Sequence, residues 1–137
     1  MSLDTPTIYV IDDDPSFLSA VSRLIRISGY AVESLRSLSE FEAILPLSEP
    51  SCVLADVILA GESGLRAGEI LAERGQRSAI IFMSATDNSE QIATASALGD
   101  APCLSKPFEA DDLFAALDAV LTNDMEARCE PLEHPKP

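Results

Sequence analysis

Ile8-Tyr9-Val10-Ile11-Asp12-Asp13-Asp14-Pro15 is the stretch on which the fold turns. Four apolar residues, two of them isoleucines and one a valine, suit a short strand. Pro15 then suits a first helical position, and Asp14 suits the N-cap before it. Between strand and helix stand three adjacent carboxylates. They repel one another, so a fold brings them together at a solvated edge or around a cation. The end of a strand that leads into a helix is the edge at which open α/β sheets bind ligands. Taken alone, the triplet reads first as a solvated acidic turn that also caps a helix.

Other apolar runs sharpen the reading. Cys52-Val53-Leu54-Ala55 ends on Asp56, and Ala79 to Met83 ends on Ser84. A short, weaker run from Ala101 to Leu104 is followed by Ser105-Lys106-Pro107, and a further strand is expected at Ala31–Leu35. In a parallel sheet these runs end on one edge, which gathers the triplet, Asp56, Ser84 and Lys106. Helical segments fall between them. Phe17, Leu18, Val21, Leu24 and Ile25 recur at helical spacing before Gly29. A second helix is expected from about Ser39 to Leu45. A third opens at Ser63-Gly64 and stops near Gly75. A fourth runs from Asn88 or Ser89 to Leu98, stopped by Gly99. A fifth, after Pro107, aligns Leu113, Phe114, Leu117, Val120 and Leu121. Strand and helix alternate five times, the pattern of a doubly wound α/β domain.

The 137 residues, 47% of them apolar, suffice for one good core. Residues 1–6 read as a leader, 7–121 as the domain and 122–137 as an acidic, proline-containing, mobile tail. The net charge is −14. Thr122–Pro137 holds four acids and two bases, so the domain itself is acidic, which argues against direct nucleic-acid binding. No run approaches a membrane span, and no signal peptide is visible. Cys52, Cys103 and Cys129 are odd in number and lack metal-ligand spacing, which suggests reduced thiols and a cytoplasmic setting. No Gly-rich loop follows the first strand, so nucleotide binding of that kind is not expected. Lys106 is informative by rarity: the other lysine, Lys136, lies in the tail, and the domain otherwise uses arginine.

These residues resemble the receiver domain of the two-component response regulators. The matching elements are Ile-Asp-Asp-Asp at 11–14, Asp56, Ser-Gly at 63–64, Met-Ser-Ala at 83–85 and Ser-Lys-Pro-Phe at 105–108. Asp13, Asp56, Ser84 and Lys106 follow at spacings of 43, 28 and 22 residues. The resemblance covers about residues 7–121. It implies a flavodoxin-like receiver fold, a five-stranded parallel sheet of order 2-1-3-4-5.

It also implies a chemistry. Asp56 would accept a phosphoryl group from a phosphohistidine on a sensor histidine kinase or a histidine phosphotransferase. Asp13, Asp56 and the backbone carbonyl of Ile58 would ligate Mg²⁺ directly, with Asp12 acting through a water. Lys106, Ser84 and Ala85 would contact the phosphoryl oxygens. Ile58 and Thr86 would flank the path of the hydrolytic water, and Cys103 stands where the family usually carries a switching Tyr or Phe. Ala60 likewise stands where proline is usual. The chain would then be no enzyme beyond self-phosphorylation from small phosphodonors and slow self-dephosphorylation. The fourth and fifth helices would offer a homodimer face.

Alternatives remain open on sequence. One is a degenerate receiver that binds partners without phosphorylation. Another is the receiver piece of a longer transcriptional regulator, as against a stand-alone phosphorelay receiver. A third is a small phosphohydrolase with Asp12 or Asp14 as nucleophile.

Overall fold

Ile8 and Val10 face one side of a sheet and Tyr9 and Ile11 the other, and all four are buried. A strand covered on both faces reads as a continuous apolar run rather than an alternating one. In the computed structural model, which describes residues 6–47, 51–59, 61–76, 78–85, 103–106 and 108–129, that run is β1 (Thr7–Ile11). It pairs in parallel with β2 (Ala31–Leu35) and β3 (Ser51–Asp56). β3 pairs with β6 (Ala79–Ala85), and β6 with β7 (Cys103–Lys106). The sheet order is β2-β1-β3-β6-β7. A small antiparallel hairpin, β4 (Ile58–Leu59) with β5 (Glu62–Ser63), follows β3. With the hairpin set aside, this is the expected 2-1-3-4-5 parallel sheet.

Helices cover both faces. α1 (Pro15–Ile27) and α4 (Ala110–Cys129) pack Leu18, Val21, Ile25, Leu113 and Leu117 against Ile8, Val10, Leu54, Ile81 and Met83. α2 (Leu38–Ala43) and α3 (Arg66–Glu73) pack Leu38, Phe41, Ala67, Ile70 and Leu71 against Ile11, Val53, Ala55 and Phe82. The helix expected at 88–98 lies outside the described residues.

Several boundaries differ from expectation for local reasons. α2 starts at Leu38 because Ser37, not a later residue, is the cap. Its Oγ accepts the Glu40 amide at 3.1 Å, while Glu40 Oε1 accepts the Arg36 amide at 2.8 Å. α3 opens at Arg66, since Glu62 and Ser63 pair with Leu59 and Ile58 instead. β7 carries the run expected at Ala101–Leu104 on to Lys106, because it pairs with Phe82 to Ala85; residues 101 and 102 lie outside the described residues. α4 does not stop at Leu121 but continues to Cys129. No proline or glycine interrupts Thr122–Cys129, and the first proline beyond is Pro131. The tail expected from residue 122 therefore begins as helix, and residues 130–137 lie outside the described part.

Candidate functional site

The carboxyl ends of β1, β3, β6 and β7 share one edge of the sheet, as the parallel pairing requires. Asp12 follows β1 and extends its ladder, donating its amide to Leu35 O at 3.0 Å. This carries its side chain inward, where it is fully buried. Asp12 Oδ1 accepts the Asp14 amide at 2.9 Å. Asp12 Oδ2 accepts from Lys106 Nζ at 2.8 Å. Asp56 ends β3, and its Oδ1 accepts the Ile58 amide at 2.9 Å. Asp56 Oδ2 accepts from the same Lys106 Nζ at 2.6 Å. One ammonium thus spans two carboxylates that precede it in the chain by 94 and 50 residues.

The acidic triplet is split by this arrangement. A solvated edge suits Asp13 and Asp14, which are exposed, but not Asp12. Burial of Asp12 is tolerated because a cation and a backbone amide meet its oxygens. Burial still pushes its carboxyl above the usual range, against the opposing pull of Lys106. Burial also draws the Lys106 ammonium down, but its bonds to Asp12 and Asp56 outweigh that and hold it above its usual value. Asp14 is a helix cap: its Oδ1 accepts the amides of Ser16 at 3.0 Å and Phe17 at 3.4 Å.

Other expected site residues take their places around this pair. Ser84 is buried in β6, in register with Ser105 beside Lys106. Ile58, two residues after Asp56, is 47% exposed. Ala85 and Cys103 belong to the backbone of β6 and β7, opposite Lys106 and Phe82 respectively. Thr86 and Ala60 lie outside the described residues. An open hollow of about 330 Å³ on the β4–β5 hairpin is lined by Val57, Ile58, Leu59, Gly61, Glu62 and Ser63. It adjoins the acidic site without including Asp12, Asp56 or Lys106.

Two contacts were not foreseen. A Cβ added to Gly64 would lie 1.6 Å from the backbone oxygen of Asp56. Gly64 also donates its amide to Val57 O at 2.8 Å, and Val57 donates to Met83 O at 2.8 Å. Ser63-Gly64 is therefore a close-packing element behind the acidic strand end, not a helix start. The second contact is Phe17, whose ring centroid lies 4.0 Å from Lys106 Nζ. The position of Phe17 in the first turn after the triplet was a usable signal, since that turn begins at the same edge.

Residues 8–118 match the family model of the response regulator receiver domain. The chain belongs to this family. The receiver is the switch of a two-component signalling system, and the phosphohydrolase alternative falls away. Response regulator protein TodT of Pseudomonas putida is 34% identical over 121 residues, 88% of this chain and 53% of TodT. The chain thus spans about half the length of that relative. A crystal structure of a response regulator receiver protein from Burkholderia phymatum is 35% identical, with a TM-score of 0.77, covering 86% of this chain and 96% of that one. The signal receiver domain of an HD domain-containing protein from Pseudomonas fluorescens Pf-5 superposes with a TM-score of 0.84, over 95% of this chain and 96% of that one, at 20% identity. That last likeness concerns the fold alone. Among the described residues no helix is long and apolar enough to cross a membrane.

Proposed function

We propose that this receiver is switched by transfer of a phosphoryl group from a partner histidine to Asp56. The observation that carries the reading is Lys106 Nζ, held at 2.8 and 2.6 Å from Asp12 and Asp56. A phosphoryl group arriving at a carboxylate meets like charge, and a fixed ammonium at that carboxylate offsets it. In the transfer an Asp56 oxygen forms a bond to phosphorus as the phosphorus–nitrogen bond of the phosphohistidine breaks. The imidazole leaves with the electron pair and takes up a proton. Ser84 and Lys106 then hydrogen-bond the phosphoryl oxygens. The donor is a sensor histidine kinase or a histidine phosphotransferase in the cytoplasm, and self-association through the face of the last helix belongs to the same proposal. A degenerate, phosphorylation-independent receiver is disfavoured by the intact Asp56–Lys106 pair.

The donor chemistry fits Mg²⁺. Asp12, Asp13, Asp56 and the Ile58 carbonyl offer oxygen alone. Among the described residues no group of three or more His, Cys, Asp or Glu side chains is placed to hold a metal ion unaided, so water would have to complete the shell. Magnesium keeps several of its own waters and needs few protein ligands. When bound, it supplies positive charge to the phosphoryl oxygens. Asp13, exposed at the edge, and Asp56 would hold it, with Asp12 acting through water.

Incubation with Mg²⁺ and acetyl phosphate should add one phosphoryl group by intact mass, and EDTA should prevent it. An adduct formed equally well in EDTA would count against the metal. Asp13→Ala should weaken Mg²⁺ binding while slightly stabilising the metal-free fold, by relieving repulsion with its neighbours. Thermal melts at rising Mg²⁺ check this: the midpoint should climb in the parent and much less in Asp13→Ala. Equal climbs would place the ion elsewhere.

The lifetime of the phosphoryl group should be long. Ile58 is bulky and cannot orient a water by hydrogen bonding. Ile58→Asn should speed decay of the adduct by about tenfold, a change of about 1.4 kcal/mol in barrier. Decay followed by mass after removal of the donor decides this, and an unchanged or slower rate would contradict the steric account.

A further inference from the structure

We propose that Phe17 is a positioning residue for this transfer: its ring holds the Lys106 ammonium at Asp56 and thereby sets the transfer rate. The inference rests on the phosphoacceptor reading above. Lys106 Nζ lies 4.0 Å from the Phe17 ring centroid, well inside the range at which a cation is drawn to an aromatic face. The ring is itself fixed on two sides. Its backbone amide is capped by Asp14 at 3.4 Å. Its ring meets that of Phe108 in a T-shaped contact, with centroids 5.9 Å apart and planes at 87°. Both rings pack against the core shared by α1 and α4. Phe17 therefore carries rigidity from the core to the tip of a long, flexible side chain.

The ring contact differs in kind from those to Asp12 and Asp56. It requires no particular N–H, so the ammonium can exchange an oxygen partner without leaving the ring. When an Asp56 oxygen bonds to the phosphorus of acetyl phosphate, the phosphorus–oxygen bond to the acetyl group breaks and acetate leaves with the electron pair. Throughout, Lys106 must turn from carboxylate to phosphoryl oxygen. The ring holds it in place while it does so. The competing account makes Phe17 an apolar filler, and the two differ in what Leu and Tyr do at this position.

The test uses the full chain and two readouts. Lys106 is the domain's lone lysine, with Lys136 the other in the chain, so its side-chain methylene protons are readily assigned by NMR. In the parent they should be shifted upfield by the ring current. Phe17→Leu should return them toward the solution value, and Phe17→Tyr should keep the shift. With Mg²⁺ and acetyl phosphate, the initial rate of adduct formation should fall about tenfold in Phe17→Leu and less than about twofold in Phe17→Tyr. Equal rates in parent and Leu variant, or equal losses in Leu and Tyr, overturn the positioning role. Unshifted methylene protons in the parent overturn the contact itself. A parent with shifted protons that takes no phosphoryl group overturns the phosphoacceptor reading, and the rate role with it, while the contact stands.

Discussion

Asp56→Asn should take up no phosphoryl group from acetyl phosphate, a loss of at least about a hundredfold in adduct. An amide lacks the anionic oxygen that attacks phosphorus, yet it fills the same volume at the end of β3. Its oxygen can still accept the Ile58 amide, and Lys106 retains Asp12 as a partner. The fold should therefore survive, with unchanged circular dichroism. Asp12 is poorly placed to substitute, because its side chain is closed off from solvent while that of Asp56 is partly open to it. Intact mass, with peptide mapping of any adduct, measures the outcome. Undiminished phosphorylation of the Asn variant would refute Asp56 as the acceptor.

Gly64→Ala should destabilise the fold by about 3 kcal/mol or more, because the new methyl would sit 1.6 Å from the Asp56 carbonyl oxygen. That neighbour is backbone in the central strand, so relief requires moving Asp56 itself. Gly61→Ala makes the control. Gly61 has φ +74° and nothing within 4 Å of an added Cβ, so its cost is backbone strain alone, about 1 kcal/mol. Urea denaturation of both variants separates the two effects. Gly64→Ala should also slow phosphorylation, whereas Gly61→Ala should not. Equal stability losses would mean that the loop after β3 yields easily and does not brace the acceptor.

The apolar runs at Ile8–Ile11, Cys52–Ala55 and Ala79–Met83 were legible because a sheet covered on both faces leaves uninterrupted hydrophobic stretches. Their shared direction then placed Asp12, Asp56 and Ser84 on one edge, to which the weaker run ending at Leu104 added Lys106. Asp14 and Pro15 were legible as a cap because capping is local chemistry. Ile58-Leu59 and Glu62-Ser63 were not legible as a hairpin, since two-residue strands have no periodicity to read. The burial of Asp12 was hidden for another reason. Its solvation is decided by Lys106, which is adjacent in space and remote along the chain. Gly64 looked like a helix start for the same reason: the Asp56 carbonyl it presses on comes from an earlier strand.

The Asp12–Lys106 contact joins residues 94 positions apart, and Asp56–Lys106 joins residues 50 apart. Lys106 ends β7, which among the described residues is an edge strand paired with β6 alone. During synthesis from the N-terminus, Asp12 and Asp56 leave the ribosome well before their counter-ion. Until β7 docks, the growing chain carries two acids at a strand edge with no lysine to meet them, and long-range pairing of this kind closes late. The charge balance of this edge is thus completed only when β7 is in place: a chain interrupted before Lys106 would hold both acids without the ammonium that meets them in the folded domain.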